Sequence, residues 1–556
     1  MAASTQPTPR ALLFALALTA VALYAPLIGW GLPHATGPDR IKTFATDEIL
    51  PLEGLAEMRS TVIQVAPDRN YGYPWWHYFV VSAAQGPYLA TLWLTGDLST
   101  PSSTYPFGLR EPVRSLEILT LIGRLVSVVM AAGIVVASFL FAQAFWGRTA
   151  GLVAAILTMV SYPMFYYSRT GNLDVPAFFW SAMGLTILAR MMADGITMKR
   201  AAWLGLFAAL GVATKDQAVL LFLPACFAPF VDRKHWNVDG GFPWRAFATL
   251  VLAGCAAYVA ATGMLIDPNR HLTHVYSLFF DPGRVSRSAH YFQPVPSTWQ
   301  GTMALVSDTV IGLAAWFTWP VLLAATAGAA IAIRATAWHG LWLVPFVTTF
   351  VLLVRLPGNA VLRYFLPLTL FIDAFAALSL VRLKASHPRA FGLMFALIVA
   401  SRLVIGMDLT FAQWTDTRYA AGEWLLGQYR PGDRIEYFGV ADTLPPLALT
   451  MVSRRIAGAG EAGRGPAVLK YLLEEGPRFV LVIPDWTSRA GLERSADCPP
   501  DVYAALIDGS AGYTLAAHFP SPSLLRPPLS RPRLDTPSVA PPVRIFTRMT
   551  RSADHR

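Results

Sequence analysis

The residues that could do chemistry are few and stand out. The chain is 14% charged and 54% hydrophobic, so an ionisable side chain beside an apolar run carries a desolvation cost and is a functional candidate by default. Asp47 and Glu48 form an acidic pair in TFATDEILPLEG. Arg124 interrupts LIGRLVSVV, and Arg169 and Asp174 share YYSRTGNLDVPAFF. Lys215 and Asp216 share GVATKDQAVLL, and Arg363 lies in NAVLRYFLPL. Carboxylates with three or four cations suit a phosphate-bearing lipid and an acid–base step. Each residue also has a structural reading. Asp47 and Glu48 read as a solvated helix cap before a proline, and Arg124 as a snorkelling side chain. Arg169 and Asp174 read as a self-neutralising pair, and Lys215 and Asp216 as a loop-tip pair. His77 sits in an aromatic stretch and reads first as interfacial. His271, His274 and His290 share one loop; their spacing allows a metal, but solvated histidines are the first reading.

Membrane helices must position these residues. Soluble domains carry about 25% charged residues; 14%, with a mean hydropathy of +0.45, excludes an ordinary soluble enzyme, a disordered chain and a nucleic-acid module. Residues 11–30 (ALLFALALTAVALYAPLIGW) are long enough for the ~30 Å hydrocarbon core and read as an uncleaved first span. Further apolar runs lie near 117–145, 149–166, 173–192, 200–214, 217–231, 246–266, 303–333, 338–354, 361–381 and 390–408, which predicts about eleven spans. Residues 74–95 could span or lie in the interface. If they do not span, the later loops between spans hold ten Lys and Arg on one side, including every cluster, against seven on the other, leaving aside the long loop 32–116. The basic side is then cytoplasmic, and the net charge of +10 is largely loop bias. The loop from 32 to 116, the loop 267–302 and the tail from 410 are then outside, and the candidate residues share that face. Cys226, Cys255 and Cys498 give no disulfide framework.

The tail changes character. GEWLLGQYRPGDRIEYFGV, AVLKYLLEEGPRFVLVIPDW and VYAALIDGSAGYTLAAHF each read as helix, break and strand, predicting a small α/β domain over 410–556. Residues 520–543 are Pro-rich and predict an extended excursion, with VRIFTRM returning as an edge strand. The sequence holds no Gly-rich phosphate loop, zinc spacing or G-x-S-x-G.

At these residues the chain resembles a GT-C glycosyltransferase of the protein O-mannosyltransferase/aminoarabinose-transferase superfamily, in its RgtA/B/C/D-like branch. The resemblance covers roughly residues 10–410. Asp47-Glu48 stands where the family has its acidic motif, and YPWWHYF (73–79) where it has a Pro-rich aromatic segment. Gly123-Arg124-Leu125, Ser168-Arg169 with Asp174, Lys215 in ATKDQ, and Arg363-Tyr364 with Pro367 match further signatures in order. Pro74-Trp75-Trp76 departs from the usual Pro-Pro.

The resemblance implies a GT-C transmembrane domain over 1–409. It also implies a polyprenyl-phosphate sugar donor, an envelope acceptor and inverting transfer on the outer face of a bacterial inner membrane. Its implied roles are Asp47 as base, Glu48 on the acceptor or sugar, and Arg169, Lys215, Arg363 and Arg124 on the donor phosphate. Asp174 would orient Arg169. His77, Tyr73 and Trp75, with Tyr71 and Trp76 beside them, would contact substrate. No cofactor is required, and Mg²⁺ or Ca²⁺ at Asp47/Glu48 stays open. The rival readings are a transporter or flippase of lipid-linked precursors, which predicts inverted repeats and interrupted midplane helices, and a non-catalytic envelope scaffold.

Overall fold

A computed structural model describes residues 9–34, 41–51, 73–102, 105–231, 243–280, 294–448, 450–456, 463–485, 488, 493–525 and 539–549. The chain folds as two compact units. The first holds Met1–Ile28, Leu52–Ala90 and Ile122–Gly406; the second holds Gly29–Pro51, Thr91–Leu121 and Met407–Arg556.

The long helices are α1 (Arg10–Tyr24), α2 (Trp76–Thr95), α3 (Pro112–Met159), α4 (Asp174–Asp194) and α5 (Met198–Val212). They continue with α6 (Trp244–Ala261), α7 (Pro268–Phe280), α8 (Trp299–Phe317), α9 (Trp319–Ala335), α10 (Thr369–Ser386) and α11 (Pro388–Trp414). Among the described residues, six helical stretches are long and apolar enough to cross a membrane, or seven if α8 and α9, bent by 105°, form one span. This corrects the expected eleven, and the causes are local. The stretch Pro112–Met159 counts once among the six although its backbone leaves the helical region at Gly147 (φ 82°, ψ 177°), between the two runs expected at 117–145 and 149–166. The first apolar run is helical over only 15 residues, about 22 Å at ~1.5 Å per residue. The runs near 200–231 break at Lys215 and continue as the 3-10 turn Asp216–Phe222 and the short helix Leu223–Val231. Helix α2, at 74–95, is not among the six.

Packing separates inner from outer helices in this unit. The most apolar window of α4 is 72% buried and that of Leu362–Ser386 is 78%, against 6% for α6. Helices α5 and α6 touch backbone to backbone: a Cβ on Gly205 would lie 2.3 Å from the Leu250 carbonyl oxygen. Small residues permit such approaches between helices that lipid does not drive together. A buried ion pair joins others. Arg402 Nη1 lies 2.8 Å from Asp373 Oδ1 and donates to the Leu157 carbonyl on α3, while Nε donates to Phe317 at the end of α8. Thr158 donates to Asp373. Arg402 therefore occupies carbonyls at two helix ends that have no further intrahelical partner.

The second unit contains α12 (Thr417–Gln428), α13 (Gly465–Glu474) and α14 (Pro500–Asp508). Its strands are β1 (Arg434–Tyr437), β2 (Val452–Arg455), β3 (Phe479–Val482), β4 (Tyr513–Phe519) and β5 (Val543–Arg548). The sheet order is β2-β1-β3-β5-β4. β1 pairs in parallel with β2 and β3, and β5 pairs antiparallel with β3 and β4. The three helix–strand repeats read from sequence are α12–β1, α13–β3 and α14–β4. β5 lies inside the sheet, correcting its expected edge position. All four residues of β3 are buried: Phe479 and Leu481 pack into one layer with Leu425 and Ile545, Val480 and Val482 into the other with Leu472 and Phe546. A strand covered on both faces shows a continuous apolar run, as FVLV does. Cys498 lies in the loop before α14 and is buried in the second layer. The Pro-rich stretch begins tied down, since Asp408 Oδ1 accepts from Ser523 Oγ and Leu524 N–H.

Candidate functional site

The first unit brings together Asp174, Lys215 and Arg363, which line a small cleft of about 30 Å³ with Gln217, Ser181 and Tyr364. Each arrives for a local reason. Asp174 is the first residue of α4, where a carboxylate meets the positive end of the helix. Lys215 caps the 3-10 turn in an extended conformation (φ −153°, ψ 118°), which takes its side chain out of the helical path. Arg363 and Tyr364 belong to the 3-10 turn Leu362–Leu368 that opens the next span.

Lys215 Nζ lies 2.7 Å from Asp174 Oδ1, with side chains only 8% and 7% exposed. Nζ of Lys215 is 5.9 Å and Cζ of Arg363 5.8 Å from the Tyr364 ring centroid, so one aromatic ring carries two cations. Lys215, Arg363 and Asp174 are the charged side chains among those that line the cleft.

The remaining cations are placed differently. Arg169 donates to the Tyr24 and Leu23 carbonyls at the end of α1. Arg124 donates to the Ile28 carbonyl at 2.7 Å and is fully buried. Neither lines the cleft. Asp174 therefore pairs with Lys215, not with Arg169 as expected. His77 is fully buried, and burial pushes its imidazole down to about 3. Trp75 is 1% exposed and packs edge-on to Phe79, and Tyr73 is half-buried. Trp76 stands 6.0 Å from Trp180. None of the four lines the cleft. His271 and His274 are buried, which corrects their reading as solvated. Tyr71 and His290 lie outside the described residues.

Asp47 and Glu48 belong to the second compact unit, which holds Gly29–Pro51 and Met407–Arg556. Asp47 is exposed and adopts φ 60°, a conformation that costs a non-glycine residue energy and that Asp tolerates better than most. Glu48 is 7% exposed and accepts from Thr43 Oγ1 at 2.5 Å.

Arg418 holds this loop. Its guanidinium forks onto Asp416 through Nε (2.9 Å) and Nη2 (2.7 Å) and donates from Nη1 to the Asp442 carbonyl. Its face lies 3.5 Å from the Phe44 ring centroid. Trp30 Nε1 and the Ala540 N–H add two donors to Asp416. Asp442 faces the acidic pair: burial pushes its carboxyl up to about 6, with Lys42 and Arg418 opposing and Asp47 and Glu48 adding to the rise. Burial, with Arg418 adding, lowers the His34 imidazole to about 3. Among the described residues no group of three or more His, Cys, Asp or Glu is arranged to hold a metal ion.

Arg402, Asp373, Arg418, Asp416 and Asp442 escaped the sequence reading. Asp373 and Arg402 carried a usable signal, charges inside apolar runs (FIDAF, ASRLV). The others sit in an ordinary soluble-domain composition and carried none.

These features define a polytopic helical membrane protein with an appended α/β sheet domain. Residues 120–260, about a quarter of the chain, match the family model described as dolichyl-phosphate-mannose-protein mannosyltransferase. That match bears out the superfamily resemblance read from the motifs. No curated protein sequence matches the chain.

Among solved structures, the chain is similar to ArnT from Cupriavidus metallidurans in the apo state, at 14% identity, 96% coverage of this chain, 97% of that chain and TM-score 0.48. It is also similar to the same protein bound to undecaprenyl phosphate, at 13% identity, 96% and 97% coverage and TM-score 0.46. The Archaeoglobus fulgidus oligosaccharyltransferase tethered with an acceptor peptide aligns at 12% identity, 86% coverage of this chain, 69% of that chain and TM-score 0.46.

Proposed function

We propose that the chain is a membrane glycosyltransferase that moves a sugar from a polyprenyl-phosphate donor to an envelope acceptor, which could be a lipid, a polysaccharide or a protein. The reaction is proposed on the extracytoplasmic face of a bacterial inner membrane. The observation that carries the reading is the cleft in which Lys215 and Arg363 flank Tyr364 while Asp174 balances one charge. A phosphate leaves well when cations are already in place for the charge it develops, and Arg363 can grip it through two parallel hydrogen bonds.

In the proposed step, an acceptor hydroxyl oxygen attacks the anomeric carbon as the carbon–oxygen bond to phosphate breaks. The hydroxyl proton passes to Asp47, the anomeric configuration inverts, and polyprenyl phosphate departs with the bonding pair. Asp47 is exposed on a loop that Arg418 and Phe44 anchor, so it has room for an acceptor and a fixed base. Glu48, held by Thr43, would help seat the acceptor or sugar. Arg124 and Arg169 act in this reading by holding the end of α1 rather than by binding donor. The step needs no metal from these residues; Mg²⁺ or Ca²⁺ at Asp47/Glu48 is tested by chelation.

A transporter would also contain a broken helix such as the 105° bend between α8 and α9. Here the Phe317 carbonyl at that break is occupied by Arg402, inside a buried ion pair. The reading is tested by mass spectrometry of envelope glycans from a deletion strain complemented with wild type, Asp47→Asn or Arg363→Ala. A sugar lost on deletion and restored only by wild type supports it. Unchanged glycans in the deletion strain contradict it.

A further inference from the structure

Lys215 and Gln217 both reach the cleft, while Asp216 between them turns to a different partner. His274 Nε2 on α7 lies 3.1 Å from Asp216 Oδ2, with the His274 side chain 2% exposed. One turn earlier on α7, His271 packs against the Tyr258 ring at 5.5 Å, with Nε2 3.4 Å from the tyrosine hydroxyl. The opposite face of α7 is mixed: Leu272 is 56% and Tyr276 62% exposed, beside exposed Asn269 and Thr273.

The 3-10 segment Asp216–Phe222 has no side-chain cap. From within, the Lys215 N–H donates to Gly211 and the Ala218 N–H to Lys215. The Gln217 Oε1 is buried without a hydrogen-bond partner among the described residues. That oxygen accepts, so a ligand hydroxyl in the cleft could satisfy it, while the amide N–H groups of the same side chain are the ones that could donate to a phosphate.

We infer that His274 is a positioning residue for donor binding. By bonding Asp216 it fixes the Lys215–Gln217 turn, which aims the Lys215 ammonium and the Gln217 amide at a lipid-borne phosphate group in the cleft. The inference rests on the phosphate reading of that cleft and extends it to α7.

The test titrates undecaprenyl phosphate into the purified full chain in lipid nanodiscs. His274→Ala binds about 10-fold more weakly, the loss expected for one hydrogen bond to a charged group. His274→Gln restores affinity to within about twofold, because its amide can donate to Asp216. A purely structural role would not be rescued by a side chain of different shape. Asp216→Ala matches His274→Ala, and the double variant is no weaker than either.

Wild-type affinity in His274→Ala, or a His274→Gln as weak as His274→Ala, overturns the inference. Lys215→Ala is the reference. Weak binding there beside wild-type binding in His274→Ala overturns the positioning role alone, and wild-type binding in both overturns the phosphate reading as well. If His274→Ala does not fold, Gln217→Ala decides: weakened binding supports the aim of the turn, and wild-type affinity overturns it.

Discussion

Asp174→Asn puts the charge balance of the cleft under direct test. The substitution keeps an oxygen that can accept from Lys215 but removes the charge that offsets it. The pair is 2.7 Å apart and both side chains are more than nine-tenths buried. Removing one partner of such a pair typically costs ~3–5 kcal/mol, because the remaining charge stays desolvated. The expected value here is about 3 kcal/mol, the lower end, since the hydrogen bond survives.

The bound state should reverse part of that loss. A phosphate entering the cleft supplies the missing negative charge, so undecaprenyl phosphate must stabilise Asp174→Asn more than it stabilises wild type. Stabilisation by ligand grows with the ratio of free ligand to its dissociation constant, ~2.7 kcal/mol at a ratio of one hundred, so the two are compared at the same free ligand concentration, where tighter binding gives the larger shift. The assay is thermal unfolding with and without the lipid. The double variant Asp174→Leu with Lys215→Met should return to near wild-type stability and lose the ligand's effect, because an apolar pair needs no compensation. Asp174→Asn melting with wild type, or a ligand-induced shift no larger than wild type's, refutes the reasoning.

Three further outcomes follow from the geometry. Arg418→Met leaves Asp416 buried with its fork removed and uncovers Phe44; it should cost ~3–5 kcal/mol and raise hydrogen exchange across residues 41–48, read by mass spectrometry. Asp442 has its carboxyl pushed up to about 6 by burial, so the contribution of its protonated form is complete below about pH 4 and lost as pH rises through 6. Asp442→Asn should therefore melt above wild type at pH 7.5, with the gap closing by pH 4. Gly205→Leu should destabilise the α5–α6 contact, because even a Cβ there meets the Leu250 carbonyl at 2.3 Å; unfolding at wild-type temperature would contradict the close approach.

The sequence carried the site better than it carried the helices. Lys215, Asp174 and Arg363 were visible because charge is scarce beside apolar runs, and the structure brings all three into one cleft. Their partnerships were not visible. Asp174 was matched to its neighbour Arg169, but its ion pair is with Lys215, 41 residues on. Periodicity reports which face a residue occupies and not which distant residue meets it.

The same limit explains the count of spans. Hydropathy placed boundaries at both Gly147 and Lys215, but did not report how long the helices beside them are: 217–231 holds a 3-10 turn and a nine-residue helix rather than a full span. In the tail, helix–strand alternation was legible from turn residues. The inner position of β5 was not, because strand order depends on long-range pairing. His271 and His274 were misread because α7 packs its histidine side inward, a tertiary contact that spacing does not report.

The central claim is that the Asp174–Lys215–Arg363 cleft binds the donor phosphate. A photoreactive polyprenyl phosphate, crosslinked to the protein in membranes and mapped by peptide mass spectrometry, addresses it most directly. The account predicts labelling of the peptides that line the cleft, around Gln217, Leu353 and Tyr364, competed by unlabelled undecaprenyl phosphate and lost in Lys215→Ala/Arg363→Ala. Competable labelling elsewhere, with those peptides unmodified, would contradict it.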